Sequence, residues 1–265
     1  MLEPFLKWAG GKRWLVQRYV GFMPVRFNRY FEPFLGSGAV FFHLLPSRAV
    51  LADINPDLIE AYRAIRDNWR AVLRYLRVHH ANHKPTYYYR IRDSRPVSPY
   101  VKAARLIYLN RTCFNGLYRV NKEGVFNVPK GTKNTVLFPD DDFCAIAHAL
   151  KMCELLNEDF ARVISRAGEG DFVYADPPYT MKHNNNNFIK YNEMLFTWQD
   201  QLRLAETLHG AKNRGAMIVL SNADHPSITS LYAGFGKITR IHRHSVLAAD
   251  SKKRRGTTEL IITNI

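Results

Sequence analysis

Short apolar runs that end in an acidic or small polar residue recur along this chain, alternating with stretches whose apolar positions return every three or four residues. "RYFEPFLGSG" closes such a run at glycines, "RAVLADIN" closes one at an acid, and "MCELLNED", "DFVYADPP", "AMIVLSN" and "ELIITNI" repeat the form, which predicts strands at each. The three-to-four spacing predicts helices over 56–80, opened by Pro56 in its first turn, over 100–112, and over 197–215, with Thr197 as cap and Gly215 past the end. Apolar strands separated by helices predict an α/β fold, a doubly wound and mostly parallel sheet covered on both faces. Ligands of such sheets sit at the carboxyl ends of the strands. The one low-complexity stretch, "HNNNN" at 183–187, reads as a mobile loop.

Composition narrows the class. With 265 residues and 46% hydrophobic content, the chain can bury a large core as one domain, or as one domain carrying a substantial insertion. No run of eighteen apolar residues occurs, and "MLEPFLKWAGGKRW" mixes charges with aromatics where a signal peptide would have an apolar core, so a cytoplasmic protein without a membrane anchor is expected. Cys113, Cys144 and Cys153 are odd in number and lack zinc-site spacing, which predicts reduced structural thiols and no metal. Thirty-eight Lys and Arg against 23 Asp and Glu leave a net charge of +15, which favours a polyanion, and nucleic acid first. Residues 60–135 hold 16 of the basic and 4 of the acidic residues, so +12 of the excess lies there. Aromatics interleave with those charges in "KPTYYYRIRD" and "RTCFNGLYRVNKEGVFNVPKG", a mixture suited to phosphate contact with stacking or wedging. A single Lys or Arg in such a run is more often only solvated. A second basic cluster, "SKKRRG" at 251–256, offers Lys252 and Lys253 as phosphate clamps.

The strand ends carry the candidate chemistry. In "FEPFLGSGAVFFHLL" the turn Gly36-Ser37-Gly38 stands where strand becomes helix, so backbone can approach a ligand closely. Asp53 ends the next strand, where a carboxylate can accept both hydroxyls of a ribose. Together they point to a nucleoside cofactor, with NAD and S-adenosylmethionine both open. Asp159 ends the third strand, placed either to meet an adenine edge or to cap a helix. Trp8 offers an aromatic face to a cation and Lys12 a point charge to a carboxylate.

"DFVYADPPYT" decides between the cofactors. An aromatic exocyclic amine is a weak nucleophile because its lone pair is delocalised into the ring. An enzyme that attacks through it must accept its two hydrogens and bend it toward tetrahedral geometry. Asp176 supplies one acceptor and the Pro177 carbonyl the other, aimed rigidly because Pro177 and Pro178 fix the backbone and add no competing donors. Tyr179 can then stack on the base. Such an amine lies inside a duplex, so the nucleotide must be flipped out, which calls for a basic surface to hold the distorted DNA. The same two-acceptor logic serves the 4-amino group of cytosine.

"KWAGGK" at 7–12, "FEPFLGSGAVF" at 31–41, "ADIN" at 52–55, "LNRTCFNGLYRVNKEGVFNVPKG" at 109–131, "DPPY" at 176–179, "LSN" at 220–222 and the closing "GTTELIITN" occur in the order cofactor motif, recognition segment, catalytic motif. In these residues nearly the whole chain resembles the Dam-type family of adenine-specific DNA methyltransferases. The resemblance implies a Rossmann-like, seven-stranded S-adenosylmethionine-dependent catalytic domain over 1–57 and 140–265, with an inserted, mainly helical recognition domain over 58–139. It implies S-adenosylmethionine bound through Trp8, Lys12, Asp53 and Asp176, a base pocket at Asp176, Pro177, Pro178 and Tyr179, and double-stranded DNA as substrate; Gly36, Ser37, Gly38 and Asp159, read from the residues themselves, complete the expected cofactor contacts, and a monomer is expected with an oligomer left open. Arg111, Asn115, Tyr118, Arg119, Asn127 and Lys130 are its implied DNA contacts beside Lys252 and Lys253. Members that read GATC carry an arginine where this chain has Thr132, so the GATC reading would need Lys130 or Lys133 as substitute. Two other readings stand beside adenine methylation: a cytosine 4-amino methyltransferase, and a silent DNA-binding regulator on the same fold. A nicotinamide dehydrogenase is a weaker one, because it gives the basic insertion and the double proline no role.

Overall fold

The computed structural model describes residues 2–116, 118–121, 124–180, 196–244 and 256–265, with backbone alone at 243, 244 and 256. Its sheet has seven strands, β1 (Tyr30–Glu32), β2 (Ala49–Ala52), β3 (Cys153–Leu156), β4 (Phe172–Ala175), β5 (Met217–Ala223), β6 (Lys237–His244) and β7 (Gly256–Thr263), in the order β3-β2-β1-β4-β5-β7-β6. β1 pairs in parallel with β2 and β4, and β4 with β5, while β7 runs antiparallel to both β5 and β6. Helices are α1 (Arg13–Arg18), α2 (Ala39–Leu44), α3 (Pro56–Ala81), α4 (Pro85–Asp93), α5 (Pro99–Thr112), α6 (Phe143–Leu150) and α7 (Phe160–Ile164), followed by the helices Trp198–Asn213 and Pro226–Leu231. The doubly wound, mostly parallel sheet expected from the apolar runs is thus present, and the antiparallel β6–β7 pair completes it.

The chain divides into two compact units, one of Met1–Arg13, Leu35–Leu45 and Asn55–Asn157, the other of Trp14–Phe34, Pro46–Ile54 and Glu158–Ile265. In the first, α3 packs most extensively on α5. Pro56 opens α3 as predicted, and the Asn55 side chain caps it by accepting from the Leu58 amide at 3.2 Å. At Asn68 the backbone leaves helical geometry, and its side chain accepts from the Ala71 amide at 3.1 Å, so a second cap restarts the helix after a kink. His79, Tyr87, Tyr88 and Tyr108, all buried, join α3, α4 and α5. His79 Nδ1 lies 2.7 Å from the Tyr87 hydroxyl and its ring 4.8 Å from that of Tyr108.

In the second unit, all four residues of β4 are buried, as a strand flanked by parallel neighbours requires. Burial of Phe172 and Val173 stabilises the fold by roughly 1.5–3 kcal/mol each relative to exposure. The strand is anchored at its start by Asp171, whose buried carboxylate accepts from the Arg29 amide, from Arg29 Nη2 at 2.6 Å and from the Gly168 amide. Thr197 and Asp200 form a capping box on the helix Trp198–Asn213, and Gly215 follows it in left-handed geometry, φ 88°, both as the sequence predicts. The thiols of Cys113 and Cys153 are free and pushed up to about 12 by burial, which makes them inert. No described helix is long and apolar enough to cross a membrane.

Candidate active site

β4 ends at Ala175, and the chain leaves it through Asp176, Pro177, Pro178 and Tyr179. Proline cannot donate to a ladder, so the double proline ends the strand and sets the backbone that presents the Pro177 carbonyl. Pro177 is buried, and Asp176, Pro178 and Tyr179 are half-buried. Tyr179 turns its hydroxyl inward, 2.8 Å from Ser221 Oγ on β5 and donating to Glu259 Oε2 on β7 at 2.8 Å. Burial, together with the charges of Asp176 and Glu259, holds that phenol well above its ordinary value, so it remains a neutral donor. The neighbouring Tyr174 on β4 is raised in the same way, by burial and then by Asp176, Glu32 and Glu259. Tyr30 donates to Glu32 Oε2 at 2.9 Å. A half-buried carboxylate and two buried ones, Glu32 and Glu259, therefore act on one tyrosine pair at the carboxyl end of the parallel strands. Glu32, Ser221 and Glu259 were not predicted as site residues. They stand inside the quoted stretches "FEPF", "LSN" and "GTTELIITN", but only the strand register shows what they touch.

Asp53 follows β2 and is half-buried. Asp159, expected either at an adenine edge or as a cap, is the cap of α7: its Oδ1 accepts from the Ala161 amide at 2.9 Å. Its carboxylate is also gripped by Arg203 through two bonds of 2.7 and 2.8 Å, which hold it below the usual carboxylate range. Beside it, Phe160 stacks on Phe34 with ring centroids 5.3 Å apart, an aromatic pair not singled out from the sequence.

In the first unit, Gly36 and Gly38 have φ of 48° and 66°, a backbone that favours glycine. The space a Cβ would need is taken by the protein's own rings. At Gly36 it would stand 2.9 Å from Trp8 Cδ1, and at Gly38 3.0 Å from the Tyr62 hydroxyl, which donates to the Gly36 carbonyl. Ser37 and Lys12 are both buried, and Lys12 Nζ donates to the Gly10 carbonyl at 3.0 Å. The turn thus gathers Trp8, Lys12, Ser37 and the two glycines, all predicted for the cofactor. Tyr118 joins them: it stacks on Trp8 at 5.8 Å and on Phe126 at 4.9 Å, with its hydroxyl turned to Asp57.

The predicted DNA contacts separate by burial. Asn115, Arg119 and Asn127 are exposed. Lys130 is half-buried and donates to the Gly131 carbonyl and to Asn134 Oδ1, each at 3.1 Å. Arg111 is corrected. It is 2% exposed, and its guanidinium binds the Asp141 carboxylate through both terminal nitrogens and also donates to the Phe5 and Val136 carbonyls. Those bonds occupy all five of its donors, so Arg111 is a structural cation and has none left for DNA. Lys252, Lys253 and the "HNNNN" stretch lie outside the described residues. Among the described residues, no group of three or more His, Cys, Asp and Glu could hold a metal.

A Rossmann-like mostly parallel sheet whose fourth strand runs into Asp-Pro-Pro-Tyr defines a methyltransferase of the S-adenosylmethionine-dependent class. Residues 8–246 match the model of the D12 class N6 adenine-specific DNA methyltransferases, and the chain belongs to that family. It is 37% identical over 272 residues to "Type II methyltransferase M1.LlaDCHI" of Lactococcus lactis subsp. cremoris, covering 99% of this chain and 95% of that protein. To "Type II methyltransferase M.MjaIII" of Methanocaldococcus jannaschii it is 32% identical over 287 residues, 99% of each. To the "DNA adenine methylase" of Escherichia coli strain K12 it is 36% identical over 224 residues, 83% of this chain and 80% of that one. The chain is an adenine-specific DNA methyltransferase, and the cytosine, silent-regulator and dehydrogenase readings fall away.

Proposed function

We propose that this enzyme methylates the 6-amino group of an adenine flipped out of a short duplex site, with Asp176 and the Pro177 carbonyl as the two acceptors and Tyr179 as the stacking ring. The observation that carries this reading is the end of β4, where a buried strand delivers a carboxylate, a rigid carbonyl and an anchored tyrosine in four consecutive residues. S-adenosylmethionine, when bound, supplies the electrophilic methyl. The residues present suit it: the buried Lys12 matches a carboxylate, Trp8 matches a sulfonium and Asp53 matches a ribose, while Gly36 and Gly38 let the turn close on Trp8 and Tyr62. Asp159, with one carboxylate oxygen accepting a single bond, keeps a lone pair for an adenine amine while it caps α7. The two acceptors draw the amine hydrogens toward themselves and turn its lone pair outward, so the work of the chain is positioning and electrostatics.

Recognition falls to the basic segment 58–139, acting as the inserted domain, with Arg119, Asn115 and Asn127 at base edges and Lys130 on a phosphate, while Lys252 and Lys253 of the separate cluster 251–256 hold further phosphates. Tyr118 serves there by holding the segment against Trp8. GATC is the proposed site, with Lys133 standing in for the arginine that Thr132 replaces. The enzyme acts as a monomer on cytoplasmic DNA. Incubation with S-adenosylmethionine and unmethylated genomic DNA, followed by sequencing that reports modified bases, tests the chemistry and the site together. N6-methyladenine confined to GATC is the expected result. A different single motif would remove only the GATC assignment, and Asp176→Ala that still methylates would remove the catalytic one.

A further inference from the structure

Glu259 is 2% exposed on a strand whose next residues are Leu260, Ile261 and Ile262. A buried carboxylate costs several kcal/mol over an apolar side chain unless its hydrogen bonds offset the loss of water. The β5–β7 register places Ala223 opposite Glu259 and Ser221 opposite Ile261. Side chains two apart on a strand share a face, so Ser221 and Glu259 are diagonal neighbours on one face of an antiparallel pair. Both reach the Tyr179 hydroxyl, each at 2.8 Å.

We propose that Glu259 and Ser221 are positioning residues for methyl transfer, holding Tyr179 by its hydroxyl so that its ring is presented to the target base in one fixed plane. The proposal rests on the reading of Tyr179 as the stacking ring. Two physical effects follow from the pair of contacts. The ring loses rotational freedom about its χ angles, so the stacked base meets a pre-set surface with no ordering cost left to meet at the moment of reaction. A phenol that donates to a carboxylate is also more electron-rich across its ring face. The adenine amine gains positive charge as the methyl bond forms, and an electron-rich ring attracts that charge more in the transition state than in the ground state. The carboxylate adds its own negative charge nearby. Neither effect requires Glu259 to touch the substrate.

The test uses Glu259→Gln, which keeps volume and an acceptor but removes the charge, on a duplex of the motif that methylation sequencing identifies. Single-turnover methyl transfer should slow by about 10- to 100-fold, the range of a charge-assisted hydrogen bond. Dissociation constants for S-adenosylmethionine and DNA, and the melting temperature, should stay near wild type. With 2-aminopurine at the target position, the flipped base should fluoresce more brightly in the variant because stacking no longer quenches it. Tyr179→Phe, which removes both contacts, should lose at least as much, and adding Glu259→Gln to it should cost nothing further. A wild-type rate in Glu259→Gln, or a loss matched by weaker binding or lower melting temperature, would overturn the proposal. If that variant does not fold, Ser221→Ala is read on the same scale, with a loss of about 3- to 10-fold expected for one neutral hydrogen bond and an unchanged rate counting against the idea. Asp176→Ala separates the premises: activity there removes the catalytic reading itself, whereas inactivity beside a fully active Glu259→Gln removes only the positioning role.

Discussion

Arg111 and Arg119 stand eight residues apart in one basic segment, yet burial gives them opposite work. Arg119 is exposed, whereas Arg111 ties Phe5, Val136 and Asp141 together from the end of α5. Its guanidinium also lies 4.6 Å from the centre of the Phe138 ring. Removing one partner of a buried ion pair leaves the other charged and unsatisfied, which costs about 3–5 kcal/mol. Arg111→Ala should therefore lower the midpoint of urea unfolding strongly, and Asp141→Asn in the same background should restore part of the loss. Arg119→Ala should leave the midpoint where it is. A stable Arg111→Ala that fails only in DNA binding would return Arg111 to the recognition surface. Sequence could not separate the two residues, because both follow apolar or polar neighbours in a charged run and only the fold reveals which one faces Asp141.

At the scale of elements, what was legible is what depends on local pattern: the buried apolar runs of β4 and β5, Pro56 opening α3, and the Thr197 cap. The elements that escaped depend on context. β6, "KITRIHRH", lies at the sheet edge and carries charges in place of an apolar alternation, the usual means by which an edge strand avoids further pairing. α4 opens at Pro85 and carries three tyrosines, weak helix formers, of which Tyr87 and Tyr88 are fixed by packing. Tyr88 shows how: its hydroxyl donates to the Val128 carbonyl at 2.9 Å. The α3–α4–α5 junction has a pH consequence. Burial lowers His79 from its ordinary 6.5 to about 4. Above pH 6.5 the imidazole is neutral whether folded or unfolded. Between 6.5 and about 4 the unfolded chain takes up a proton that the folded one refuses, so stability falls by roughly 3 kcal/mol across that window, and the loss is complete and constant below about pH 4. Urea midpoints measured from pH 7 to pH 4 should show this slope, and His79→Gln should flatten it. An unchanged acid limb in the variant would assign the slope to other groups.

For the whole molecule, a net charge of +15, of which +12 lies in 60–135, has to coexist with a site that handles a single base. Cations that neutralise phosphates release counterions, so the logarithm of affinity falls with the logarithm of salt at a slope of about 0.9 per phosphate. Cations that read base edges change discrimination instead, by roughly 1–3 kcal/mol for a bidentate pair. The two classes can therefore be told apart without a structure of the complex. Lys252→Ala combined with Lys253→Ala should weaken binding to every duplex alike and flatten the salt slope by about 2. Arg119→Ala should leave the slope nearly unchanged, lower affinity for the cognate duplex by about 1–3 kcal/mol and leave non-cognate binding intact. Titrations of cognate and scrambled duplexes between about 50 and 200 mM salt measure both quantities. A uniform loss in the Arg119 variant would make it a phosphate contact, and site choice would then fall to Asn115, Asn127 and Lys133, which are also exposed in that segment.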